Sequence, residues 1–218
     1  VYKIVLDGAE VPYYPDAIQL RSAGNLIRGL VIQRFNGGVF VIDADDNRIE
    51  GNFIGTDALG ANAAGNACDG VTVSGVEGGQ GSHNNVVGGS SPEARNLISG
   101  NGCAGVAVGP GGNNKVQGNL IGTDASGALP LPNNGDGVYV YNAAINNTIG
   151  GLAAGEANLI AFNGWYGVEV SGGYGAAGNT ITRNRIHNNA RRGIALLGGG
   201  NAGVAAPAIT TASPSTVS

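Results

Sequence analysis

"GNFIGTDALGA" runs from Gly51 to Ala61 and "GNLIGTDASGA" from Gly118 to Ala128, with nine of eleven letters shared. A catalytic centre is needed once, whereas a turn is needed wherever the chain folds back. A stretch written twice therefore points to a repeated shape, and the flanking sequence repeats with it.

A simpler unit recurs around the pair. It starts with Asn-x-[Ile/Val], at Asn47, Asn85, Asn114, Asn147 and Asn179, with Asn25-Leu26-Ile27 as a sixth case. Each is followed by Gly-[Val/Ile]-x-[Val/Leu], at Gly38, Gly70, Gly105, Gly137, Gly167 and Gly193. The pieces alternate apolar and other residues, so each buries one face of a strand. Strands are expected near Ile27, Ile49, Val71, Val87, Val106, Val116, Val138, Ile149, Val168, Ile181 and Ile194. No segment shows a helical period. Strands this short cannot bury their apolar faces alone and must stack on their copies in the next unit. The expectation is an all-β, right-handed parallel β-helix of about six to seven coils, a rod roughly 30 Å long at about 4.8 Å per coil. Asn at the turns tolerates left-handed backbone, bonds locally and forms stacked ladders.

A longer period lies on top. Two units carry the GTDA loop, and the two alternating with them carry Gly-Gly, a loop, then Glu93-Ala94 or Glu156-Ala157 before Asn-Leu-Ile. The chain thus holds a two-coil super-repeat, twice. Features present in both copies are read as structural, and features present in one copy as candidates for function.

Composition bounds the rest. Gly accounts for 41 of 218 residues, yet 42% of the chain is hydrophobic and only 12% charged, which describes a packed chain rich in turns. The net charge of −4, without a basic tract, argues against nucleic acid as a partner. No apolar run reaches membrane-spanning length, so no membrane partner is expected. The absence of Met and the Ser/Thr/Pro-rich residues 209–218 suggest a β-helix domain over 1–208 excised from a longer polypeptide, followed by a linker.

The G-N-x-I-G-T-D-A and G-V-x-V patterns resemble the right-handed parallel β-helix repeats of large secreted bacterial proteins, similar to the pectin-lyase-like superfamily. The resemblance extends from "IVLDG" at Ile4 to Leu197. It implies the fold, and a superfamily whose members include lyases, hydrolases, epimerases, adhesins, phage tailspikes and non-catalytic carbohydrate-binding modules. Pectate lyases of that superfamily hold calcium with an Asp cluster and use Arg or Lys as base; no Arg is clearly placed beside Asp45. Of the polygalacturonase motifs, only Asp45-Asp46 has a match.

Several motifs reduce to shape. Thr56-Asp57 and Thr123-Asp124 read as loop closures, with a pair of calcium sites as the alternative. "DADDN" at Asp43–Asn47 departs from a calcium loop at Arg48 and Ile54. "GNGCAG" at Gly100–Gly105 matches a phosphate-loop pattern but precedes a strand. His83 and His187 lack metal-ligand spacing and read as turn or surface residues. No metal or other cofactor is expected beyond that calcium alternative. Cys68 and Cys103 each precede a Gly-Val by two positions and should stack on adjacent coils. A disulfide and a pair of free thiols both fit that placement.

The twelve aromatic residues are unevenly spread, and one set of five is found in one copy alone. Tyr139, Tyr141, Trp165, Tyr166 and Tyr174 fall within 36 residues, while the counterparts in the other copy are Thr72, Ala107, Cys103 and Ala104. The alternation points Tyr139, Tyr141 and Glu169 outward, with Asp136 beside them and Arg191 and Arg192 on the next coil. Aromatic faces and carboxylates suit a sugar. The expected function is a non-catalytic, secreted or cell-surface module that binds a polysaccharide within a multidomain protein. The alternatives are a polysaccharide lyase or glycoside hydrolase using Asp136 and Glu169, and a structural spacer or adhesin stalk.

Overall fold

A computed structural model of the chain describes residues 4–12 and 15–203, so the expected linker at 209–218 lies outside the described residues. The chain winds through three long sheets in turn, with a fourth of three short strands, Ser82–His83, Gly111–Gly112 and Ala144–Ile145, between the second and third, and every neighbouring strand pair is parallel. The first sheet stacks seven strands, Ile4–Asp7, Leu30–Gln33, Phe53–Ile54, Leu97–Ile98, Leu120–Ile121, Leu159–Ala161 and Arg185–His187. The second stacks seven more, Ile18–Leu20, Val39–Ile42, Val71–Ser74, Val106–Val108, Val138–Val140, Val168–Ser171 and Ile194–Leu197. The third stacks six, Leu26–Arg28, Arg48–Glu50, Val86–Gly88, Lys115–Gln117, Thr148–Gly150 and Thr180–Thr182. The fold is a parallel β-helix of six to seven coils. Every expected strand centre falls within a strand of the second or third sheet.

The first sheet carries the same Asn-x-Ile signal, at Asn52 and Asn119 within the opening stretch. Ile54 and Ile121 belong to it, in register with Ile98 between them. The interior is built of such rows. Ile32, Ile54, Ile98, Ile121 and Ile160 form one, Val71, Val106, Val138 and Val168 another, and each of these side chains is fully buried. Burying one contributes about 1.5–3 kcal/mol.

Three asparagine ladders stitch the coils together. The first joins Asn25, Asn47, Asn85, Asn114, Asn147 and Asn179 and ends on Asn201. The second joins Asn52, Asn96, Asn119, Asn158 and Asn184, and the third Asn66, Asn101, Asn133, Asn163 and Asn189. In a typical rung, Asn85 Oδ1 accepts both the N–H and the Nδ2 of Asn47, while Asn85 Nδ2 donates to the Ala44 carbonyl and to Asn114. The amide is small and carries donor and acceptor together, which lets it occupy buried corners without leaving polar groups unpaired.

The super-repeat also has a physical cause. The GTDA loops of alternate coils meet over the shorter corner between them, where Ala125 N–H donates to the Gly60 carbonyl at 2.9 Å. Ser99, on the intervening coil, donates to the Thr123 carbonyl and accepts Gly122 N–H. Gly55 and Gly122 have φ of 89° and 85°, a left-handed backbone that favours glycine.

Candidate functional site

The duplicated loop leaves its carboxylates engaged by its own atoms. Asp57 Oδ1 accepts Leu59 N–H and Ala61 N–H, and Oδ2 accepts Asn62 Nδ2. Asp124 accepts Ser126 Oγ, Ala128 N–H and Leu129 N–H. In both, burial pushes the pKa up but is outweighed by these hydrogen bonds, so both sit below the ordinary value. Around "DADDN", Asp43 accepts Gly81 N–H, and Asp45 accepts His83 N–H with His83 Nδ1 3.4 Å away. His187 packs edge-on against Phe162.

The outer face of the second sheet differs between the two copies. Its strands bring Thr72, Ala107, Tyr139 and Glu169 into one outward row across four coils. Two residues further along lie Ser74, Gly109, Tyr141 and Ser171. Between the two copies small residues thus give way to aromatic and acidic ones, while Phe40 occupies the same row on the coil before Thr72. Gly109 matters to this change. A Cβ there would sit 2.7 Å from the Tyr141 ring, so the glycine lets Tyr141 lie flat and reach back to Ser74 Oγ at 3.2 Å. Tyr139 stacks on Tyr141, ring centres 5.0 Å apart and planes within 10°.

Trp165 and Tyr166 precede the Val168–Ser171 strand and meet edge to face, with centres 6.4 Å apart. The Arg191 guanidinium covers the Trp165 ring at 4.2 Å and lies 5.6 Å from Tyr166. The expected single aromatic face is therefore two pairs, with Glu169 in the sheet between their attachment points. Glu169 was expected to stand beside the aromatics on the surface. It is instead buried, with 8% of its surface exposed. The residues around this row enclose it and place it in hydrogen-bond contact with Asp136.

That contact sets the electrostatics. Burial pushes the Glu169 carboxyl up to about 7, with the charge and hydrogen bond of Asp136 adding and Arg191 opposing. Burial also raises Asp136, against the hydrogen bond it accepts from Tyr166 N–H at 2.8 Å. Just below neutrality the raised Glu169 carboxyl keeps its proton in the hydrogen bond to Asp136, so the pair carries one charge less than two free carboxylates and turns acceptor oxygens outward. Asp136 also has a structural role. Its counterpart Asp69 accepts Ala104 N–H at 2.9 Å in the same way, so this carboxylate also closes a turn.

Cys68 and Cys103 lie on adjacent coils, with Cys103 N–H donating to the Cys68 carbonyl and the thiols 2.9 Å apart and unbonded. Burial, with Cys68 adding, pushes the Cys103 thiol up to about 12. Ligand atoms of Cys68, Asp69 and Cys103 lie within 4.8 Å of one another, the one such cluster among the described residues. No helix of the described residues is long and apolar enough to cross a membrane.

Stacked parallel coils with one differentiated sheet face define a β-helix solenoid protein. Residues 16–206 match the family described as "Right handed beta helix region", and the chain belongs to that family. No curated protein sequence matches the chain. Among solved structures, it is similar to the periplasmic alginate epimerase AlgG, at 18% identity and a TM-score of 0.49, over 84% of this chain and 43% of that one. It is also similar to the A-module of the Azotobacter vinelandii mannuronan C-5 epimerase AlgE4, at 15% identity and a TM-score of 0.46, over 83% of this chain and 52% of that one. The chain spans about half the length of these proteins, and no residue role is carried over from them.

Proposed function

We propose that this chain is an extracellular, non-catalytic β-helix module of a longer protein and that it binds a polysaccharide on the outer face of its second sheet. The observation that carries the reading is the concentration of two aromatic pairs, a proton-sharing carboxyl pair and Arg191 on coils whose counterparts in the first copy hold small residues. Aromatic rings pack against the apolar face of a pyranose, and the outward oxygens of the carboxyl pair accept from sugar hydroxyls. The contact between Asp136 and Glu169 favours binding over hydrolysis. Glycosidases separate their two carboxyls by roughly 5–9.5 Å, to seat a sugar carbon or a water between them.

Titration against a panel of polysaccharides tests the reading. Trp165→Ala should weaken binding by about 1–3 kcal/mol and leave the fold intact, whereas Asp57→Ala should not change affinity. Neither new reducing ends nor unsaturated products should accumulate. Binding abolished by Asp57→Ala and untouched by Trp165→Ala would overturn the placement, and product formation would favour an enzyme on the same face.

A further inference from the structure

Where the chain leaves the second sheet, an open groove of about 680 Å³ runs over four successive coils. Val76 and Glu77 line it on the earliest of these coils, Pro110 on the next, Tyr141 on the third and Tyr174 on the last. Three coil rises make it roughly 14 Å long, parallel to the helix axis. It exists because Ser74 and Gly109 are small where Tyr141 is large, leaving a step on the surface. Large apolar groups stand open at both ends, with Val76 51% and Tyr174 79% exposed. Polar groups lie among them, since Glu77 and Asn142 also line the groove and the Tyr141 hydroxyl bonds Ser74.

The groove is continuous with the carboxyl pair. Tyr141, in its wall, stacks on Tyr139, and Tyr139 is hydrogen-bonded to Ser171 and feels the charge of Glu169. A strip of chemistry thus crosses the sheet from Trp165 on its leading edge to the groove on its trailing edge. That is roughly 20 Å at about 3.3 Å per residue, too far for one sugar ring and suited to a chain.

We propose that this groove is the second part of the binding site. It takes the pyranose residues that continue from the one held at Trp165 and Tyr166. Tyr141 and Tyr174 offer ring faces, and Glu77 and Asn142 meet the equatorial hydroxyls. An exposed concave surface that mixes aromatic faces with a few polar groups is how proteins seat such ligands. The inference rests on the polysaccharide reading above, and it adds that the bound chain turns from the sheet face into the groove.

The test uses size-graded oligosaccharides from partial hydrolysates of pectin, xylan and alginate, measured by calorimetry from dimers upward. Wild-type affinity for the hydrolysate that binds should rise with length. Tyr174→Ala should remove that rise, about tenfold for the longest oligomers, and leave the shortest unchanged. Gly109→Val, whose Cβ would meet Ser74 Oγ and, at 2.7 Å, the Tyr141 ring, should also remove the rise, and matching far-ultraviolet circular dichroism would show both variants folded. Trp165→Ala should weaken short and long oligomers alike. Undiminished length dependence in Tyr174→Ala and Gly109→Val would overturn the groove while leaving the Trp165 placement standing. A wild-type protein that binds none of the three series would overturn both.

Discussion

The two copies of the super-repeat share a frame and differ along one face. Asn96 and Asn158 occupy equal places in the second ladder, and Asp57 and Asp124 close equal loops. The turn leading into the second sheet differs. Its outward row reads Cys68, Cys103, Gly135, Trp165, each residue hydrogen-bonded through its main chain to the one before. The first copy fills that row with a thiol pair and the second with Gly and Trp. A repeat frame held by inward-facing isoleucines, valines and asparagine amides leaves the outward positions free to diverge, so shape and function occupy separate sets of residues.

The largest expected effect tests whether the frame is equal in both copies. Asn96→Ala and Asn158→Ala should each cost about 3 kcal/mol in urea unfolding, because each strands buried N–H and carbonyl groups of the neighbouring coils. Matched losses would support one shared frame. A marked difference would show that the copies are held by different interactions.

The next effect belongs to the first copy alone. We expect Cys68 and Cys103 to form a disulfide under oxidising conditions, since in-register neighbours about 4.8 Å apart lie within the Cα range of the bond. Oxidised protein should then show no titratable thiols, and reduction should lower stability by about 2–3 kcal/mol. Two free thiols in air-exposed protein would sink the bond and leave the stacking intact.

The frame was legible and the face only partly so. Val-x-Val alternation and Asn spacing announce the second and third sheets, because burial on one side of a strand imposes a period of two. The first sheet's strands at Phe53–Ile54 and Leu97–Ile98 are only two residues long, too short for alternation to show. Outward phase correctly placed Tyr139 in a row with Glu169, but phase says nothing about what lies over a residue. Tyr141 folding flat over Gly109, Arg191 covering Trp165 and the burial of Glu169 depend on side-chain directions across coils, which no single strand encodes. The groove was invisible for the same reason, being assembled from turns of four separate units.

A smaller effect comes from the loops. Asp57→Ala and Asp124→Ala should each cost about 1 kcal/mol, comparable to losing a helix N-cap that satisfies similar main-chain donors. Both carboxylates titrate below the ordinary value, so the stability they add is present above about pH 4 and is lost as pH falls through their folded pKa values. Each alanine variant should therefore differ from wild type at neutral pH and converge with it in acid. Equal losses would again mark the loops as shape.

The smallest effect has the opposite sign, and only the second copy should show it. The Glu169 carboxyl is raised from 4.5 to about 7, so the folded protein holds a proton there that the unfolded chain has released. Between those two values the folded state binds more protons, and its stability falls as pH rises. Arg191 opposes the shift, so the loss should be a fraction of the roughly 3 kcal/mol that 4.5 to about 7 corresponds to in full. Glu169→Gln keeps the hydrogen bond and removes the titration, so its stability should be flatter over that interval while wild type declines. The first copy supplies the control, since Ala107 stands at the counterpart position and Ala107→Ser should leave the slope unchanged. An identical decline in wild type and Glu169→Gln would mean that Asp136 and Glu169 are both ionised at neutral pH. The face would then carry two negative charges where one is expected, and Arg191 alone would balance them against a sugar ligand.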